Sequence, residues 1–302
     1  MTRFLVSKVL PRSVDYWGLV QSPSHVAFEF VQGLASELSS GRLDLPSFPE
    51  IAIRIRKVLG DSKSSIEQVV RIVGSEPALA ARLLRIANSA SLNRSGRQIT
   101  ELRTAISRIG YNMVRSASLS FSMHQMRHDK KLAAFRVYLN DLWERSTNVA
   151  AYSYILARNL SRVNPDEALL TGMMHAIGKL YILTRATDQP GLFGGETQLN
   201  EIMNDWHAPI GKAILENWEF PDAMAQAVGD QDSSREDEGA PDLADVVAVS
   251  ILIASYGTDF AGLEIALHEH PGAKRLGLDE AKTLSVMQDS AAEVTALSQA
   301  LG

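Results

Sequence analysis

From Ile51 onward the apolar residues of this chain recur three and four positions apart, and this spacing limits the fold more than any other feature. Pro49 suits the first turn of a helix in which Ile51, Ile55, Val58 and Leu59 share one face and Arg54 and Lys57 turn away. Ser64-x-x-Glu67 reads as a capping box opening a helix with Ile66, Val69, Val70 and Val73. Gly74-Ser75-Glu76-Pro77 breaks and restarts the chain, after which Leu79, Leu83, Ile86 and Ala87 point inward. Thr100 is expected to cap a short helix ending at Gly110, with longer ones over 111–127 and 131–160. Asn164-Pro165 starts the helix expected to carry His175, and Pro221 separates segments 207–219 and 221–229. Further helices are expected over 24–38, 243–256 and 279–300, with Asp230–Asp242 as a polar, acidic, solvated linker. No run of alternating β-branched residues with flanking hairpin turns occurs, so the predicted class is all-α.

Composition adds bounds rather than identity. A chain of 302 residues, 45% apolar and 22% charged, has the make-up of an ordinary globular protein. Its formal charge of −5 does not favour nucleic acid as a partner. The sequence contains no cysteine, which excludes disulfides and thiolate ligands and suits a reducing compartment. Phe4-Leu5-Val6 is too short for a secretory apolar core, and no apolar run reaches the ~20 residues of a membrane span. A soluble protein of the cytoplasm is expected.

Five segments in order resemble the HDOD domain, the HD-related output domain. They are Leu45-Pro46-Ser47-Phe48-Pro49; Pro77 through Ala90 with Arg82, Arg85 and Asn88; Ala105-Ile106-Ser107-Arg108-Ile109-Gly110; Trp143-x-x-Ser146 with Glu167 through His175; and His207-x-x-x-Gly211 followed by Trp218-x-x-Pro221. The resemblance spans roughly residues 42–232. It implies a helical fold, a role in bacterial signalling or regulation, and no demonstrated catalysis. It also implies descent from the HD-superfamily metal-dependent phosphohydrolases.

Against that ancestry the departures carry chemistry. An active relative would have aspartate after the histidine, and this chain has His175-Ala176. Metals are bound by imidazole nitrogen, thiolate sulfur or oxygen, and alanine offers none of these. The upstream ligand histidine would fall near Arg145-Ser146, and the later pair near Gly229-Asp230-Gln231, where no histidine stands. A vestigial pocket of Arg145, His175, His207 and Asp230 is therefore expected, with no metal, no cofactor and no catalytic residue. Asp205 or Asp230 would be needed to complete even a partial metal site. His124 and His128, four apart beside Asp129, read as surface residues near a helix end. Gly194-Gly195-Glu196 lacks the hairpin and following acids of a cyclase turn, and neither a phosphate-binding loop nor a nucleophile elbow is present.

Between Arg82 and Arg115 seven arginines stand against one acid, Glu101. Guanidinium forks suit phosphate and carboxylate, so Arg82, Arg85, Asn88, Arg94, Arg97 and Arg108 form the candidate ligand or partner surface. The alternative is a set of solvated faces paired with acids elsewhere in the fold. Residues 65–89 also superficially resemble a helix-turn-helix.

The expected organisation is an N-terminal extension with one helix (1–41), an HDOD domain (42–232), and an acidic linker with C-terminal helices (233–302). Within the domain, residues 42–128 form a small helical lobe and 129–232 an HD-like bundle. The expected function is a non-catalytic signalling or regulatory module that binds a protein partner or a small anion. The rival readings are a metal-dependent phosphohydrolase or nucleotide phosphodiesterase with an atypical site, and a nucleic-acid-binding regulator. The apolar faces at Val246, Val249, Leu252, Ile253 and at Leu284, Val286, Met287, Val294, Leu297 read as core, and a surplus there would serve a homodimer contact.

Overall fold

The computed structural model describes residues 25–40, 50–61, 63–89, 93, 96–126, 128–187, 196–233, 239–256, 259–278 and 280–301. Within them the chain forms helices and no strand, as the apolar spacing requires. α1 (His25–Ser40) precedes α2 (Glu50–Gly60), α3 (Ile66–Gly74), α4 (Pro77–Ala87) and α5 (Leu102–Met126). A 3-10 turn, Lys130–Phe135, leads into α6 (Arg136–Leu160). Then follow α7 (Pro165–Met174), α8 (Ile177–Ala186), α9 (Glu196–Asn217) and α10 (Asp222–Gly229). The remainder is α11 (Leu243–Tyr256), α12 (Phe260–Glu269), α13 (Pro271–Arg275) and α14 (Glu280–Leu301).

Local chemistry sets most boundaries. Asn164 caps α7 by accepting from the amides of Asp166 and Glu167, and Pro165 takes the first helical position. The cap of α3 is displaced by one residue from its expected place. Ser65 and Gln68 form the reciprocal box, and Glu67 instead pairs with Arg103 at 2.7 Å. Glu101 rather than Thr100 accepts the first helical bond of α5, from the Ala105 amide at 2.9 Å. Gly110 breaks α5 with φ 75° and ψ 166°, a conformation that glycine adopts without steric cost. α9 begins well before residue 207, and α12 and α13 extend the helical count beyond the expected set.

α2 to α5 pack on one another, and α5 also lies against α7 in the hairpin made by α6 and α7. One apolar cluster runs from Ile55 and Leu83 through Ile106 and Met113 to Leu170, Leu180, Ile214 and Val228. Two glycines let backbones approach within it. A Cβ at Gly172 would meet Ser153 Oγ at 2.7 Å and Ala150 Cα at 2.9 Å, across α6 and α7. One at Gly178 would meet the carbonyl carbon of His207 at 2.8 Å and the amide nitrogen of Gly211 at 2.9 Å, across α8 and α9. These crossings set His175 and His207 near each other.

α1 is tied to α8 by Glu37, which accepts from Tyr181 and Arg185. α11 covers α6, and the buried pair Arg275–Asp245 fastens α13 to it. No helix among the described residues is long and apolar enough to cross a membrane.

Candidate functional site

His175 does not lie inside one long helix, as the periodicity predicts. α7 ends at Met174 and α8 restarts at Ile177, so His175 and Ala176 form the joint between them. The His175 ring is buried and its Nδ1–H donates to the Gly172 carbonyl at 2.7 Å. Burial pushes its pKa down to about 3, and the Gly172 bond opposes this only in part. Lys179, His207 and Arg145 add repulsion in the same downward direction. The ring is therefore neutral at physiological pH, with Nε2 its one remaining acceptor.

His207, brought in by α9, is also buried. Its Nδ1 accepts from the Gln231 side-chain amide at 3.3 Å, and its Nε2–H donates to Asp232 at 3.0 Å. That bond holds the Asp232 carboxyl below the usual carboxylate range against the opposing effect of burial. Gln231, in the stretch where the later histidine pair is missing, has a bracing role that sequence reasoning missed. Predicted as part of a solvated linker, it is 6% exposed. Its amide reaches the His175 carbonyl at 3.0 Å and the Val228 carbonyl at 2.9 Å as well as His207. Two N–H bonds serve three acceptors here, so the longest contact, to His207, is shared.

Arg145 comes from α6 and donates to Ser255 Oγ on α11 at 3.3 Å. Lys179, on α8, is held below the usual ammonium range first by burial and then by Arg145, with Asp232 and Asp141 opposing. Asp230 closes α10, and among the described residues its carboxylate bonds to neither histidine. Around His175 the fold thus gathers His207, Gln231 and Asp232 through hydrogen bonds, and Lys179 and Arg145 through the charge they exert on the ring, while Asp230 precedes Gln231 in the chain.

This donor set does not fit a divalent metal. Both nitrogens of His207 and one of His175 are engaged, and two cations stand beside them. Among the described residues no three His, Asp or Glu side chains converge. Four to six oxygen or nitrogen ligands would be needed.

The arginine segment divides. Arg82 is turned inward from α4 and donates to the Leu301 carbonyl at 3.0 Å and to Ser120 Oγ at 3.4 Å, with Phe121 beneath it. Burial lowers its pKa to about 10. Asn88 binds the turn after α4, donating to the carbonyls of Leu84 (2.8 Å) and Ile99 (2.7 Å) and accepting from Ile99 N–H at 2.8 Å. Asn93 extends this lattice to the Arg97 carbonyl and accepts from Arg108 at 3.3 Å. Arg85, Arg97 and Arg108 are exposed, and Arg94 lies outside the described residues. A cavity of about 820 Å³ opens here, lined by Arg85, Asn88, Asn93, Gln98 and Thr100. α3 and α4 do form a helix-turn-helix-like pair, with the centre of the second helix buried through Arg82.

His124 and His128 meet at a tilt, 5.2 Å between ring centroids, with Trp143 edge-on to His124. Asp129, beside them, is used instead to cap the 3-10 turn.

The HDOD domain model matches residues 45–234. Among solved structures, a Shewanella amazonensis SB2B protein provisionally named a metal-dependent phosphohydrolase is similar at 25% identity and a TM-score of 0.69, over 92% of this chain and 99% of its own. An HDOD domain protein of unknown function from Geobacter sulfurreducens aligns at 20% identity and a TM-score of 0.56, over 93% and 99%. A Marinobacter aquaeolei VT8 protein provisionally named for signal transduction aligns at 18% and 0.55, over 95% of this chain and 69% of its own. No curated protein matches the chain.

Proposed function

The chain belongs to the HDOD domain family, and we propose that it serves as a regulatory module that binds and does not catalyse. The observation that carries this reading is Gln231. Its carboxamide spans His175 and His207, where an active HD relative would place metal ligands. A neutral amide satisfied by two carbonyls and an imidazole is a structural cross-brace. It neither polarises a phosphate ester nor activates water.

The electrostatics support the same view. Arg145 and Lys179 both disfavour added positive charge at His175, which opposes a divalent cation and suits an anion. The exposed arginines Arg85, Arg97 and Arg108 around the α4 cavity offer a second anion-seeking face. A protein partner with acidic residues, or a small phosphorylated ligand, fits both. The name of the Shewanella protein favours hydrolysis for that protein, and the donor set here argues against carrying it over.

The reading is tested by replacing Arg85, Arg97 and Arg108 together with glutamate and following capture of proteins from a bacterial lysate. Selective loss of a captured species is the expected result. Unchanged capture, together with phosphodiester turnover by the wild-type chain, overturns it.

A further inference from the structure

α14 lies beyond residues 45–234, yet it is seated across elements of that domain. It packs on α6 at one end and on α4 and α5 at the other. We propose that the surface beneath α14 is a helix-binding groove, filled here by the chain's own α14 and offered to a partner's amphipathic helix when α14 lifts. This rests on the reading that the protein works through partners, and it names the surface and the kind of partner.

Among the described side chains of α14, Val294 and Leu297 join Ala151 and Ile155 in a satellite cluster, Leu301 enters the main core, and Val286 packs against both. A helix that gives few side chains to the main core is among the segments that open before the rest of a fold. The polar fastening, by contrast, is specific. Arg158 grips Glu293 through two parallel bonds of 2.5 and 2.6 Å. Ser298 donates to Asn148 at 3.0 Å. At the far end Arg82 and Ser120 both donate to the Leu301 carbonyl, a cationic cap on the negative end of the helix.

The groove therefore reads three things in an occupant. It takes a stripe of small and branched apolar residues, a carboxylate for Arg158, and a helix C-terminus for Arg82. The last two stand eight residues apart, from Glu293 to Leu301, or about 12 Å along a helix. A partner helix with that spacing competes with α14 for the same atoms. Departure of α14 also uncovers Arg82, which adds to the arginines already exposed on α4 and the following turn.

The test uses the full chain. Hydrogen exchange of the wild type should show α14 amides exchanging about tenfold or more faster than those of α7 and α8. A fluorescent peptide of residues 280–301 should bind the Glu293→Lys chain about tenfold more tightly than it binds the wild type, because its own strap is weakened and Arg158 is free for the peptide. A peptide carrying the same Glu293→Lys change should lose that binding. The milder Glu293→Gln chain serves if the lysine variant unfolds by circular dichroism. Exchange in α14 as slow as in α7 and α8, or equal peptide binding by wild-type and variant chains, overturns the proposal. Neither measurement contains a native partner, so each fails or succeeds independently of the proposed function.

Discussion

The Gln231 side-chain amide donates to the backbone carbonyl of His175 at 3.0 Å and ties the end of α10 to the joint between α7 and α8. The bond lies where family ancestry would place metal ligands. It also makes Gln231 part of the core rather than of a solvated linker.

Gln231→Ala leaves the His175 carbonyl and His207 Nδ1 buried without their amide donor. The expected cost is about 1–3 kcal/mol. Urea unfolding should show it as a lower midpoint at unchanged slope. Gln231→Glu should cost at least as much, since a carboxylate facing the two carbonyls is repelled.

Acid should destabilise the fold earlier than its carboxylates alone would require. The His175 pKa falls from 6.5 to about 3 on folding, so below pH 6.5 the unfolded chain takes up a proton that the folded chain refuses. Stability therefore drops as the pH falls from about 6.5 toward 3, by up to about 1.4 kcal/mol per unit. His270 adds to this trend, because burial beside Arg275 lowers its pKa too, with Asp245 opposing. His175→Asn keeps a donor for the Gly172 carbonyl and should flatten the slope between pH 6.5 and 5, measured by denaturant midpoints.

Gly178→Ala places a methyl against the His207 carbonyl and the Gly211 amide, which are backbone atoms that cannot rotate away. α8 and α9 must separate, at an expected cost of about 3 kcal/mol. Thermal unfolding checks this. Gly33→Ala, with open space around its Cβ, is the control that should leave the midpoint unchanged or slightly raised.

Within the arginine segment the exposed and braced residues should behave differently. Arg85→Ala should change stability by less than about 0.5 kcal/mol, as surface substitutions do. Asn88→Ala removes three backbone bonds of the turn that shapes the α4 cavity and should cost about 2 kcal/mol. Denaturation of the two variants side by side distinguishes a binding face from a scaffold.

Much of the fold was legible because apolar spacing and caps act locally. Asn164-Pro165, Pro221 and Gly110 mark boundaries that the structure keeps. The pocket was legible only in part. Arg145, His175 and His207 could be found through missing ligands, and Gln231 stands where the later histidine pair is missing, yet its burial gave no signal, because a polar residue in an acidic stretch looks solvated. Only tertiary packing buries it. Arg82 was misleading for the same reason. Its neighbours Arg85 and Arg97 face solvent, and nothing in the local pattern shows that α14 returns to cover it. The break at His175-Ala176 was hidden because both flanking segments are helical and in similar apolar register.

Metal analysis tests the account most directly. The chain is purified without chelator and supplied with Mn²⁺, Fe²⁺ or Zn²⁺, and its metal content is measured alongside hydrolysis of a phosphodiester. The account predicts far less than one equivalent of any metal and no turnover above buffer. One or two equivalents, with turnover that EDTA abolishes, would contradict it.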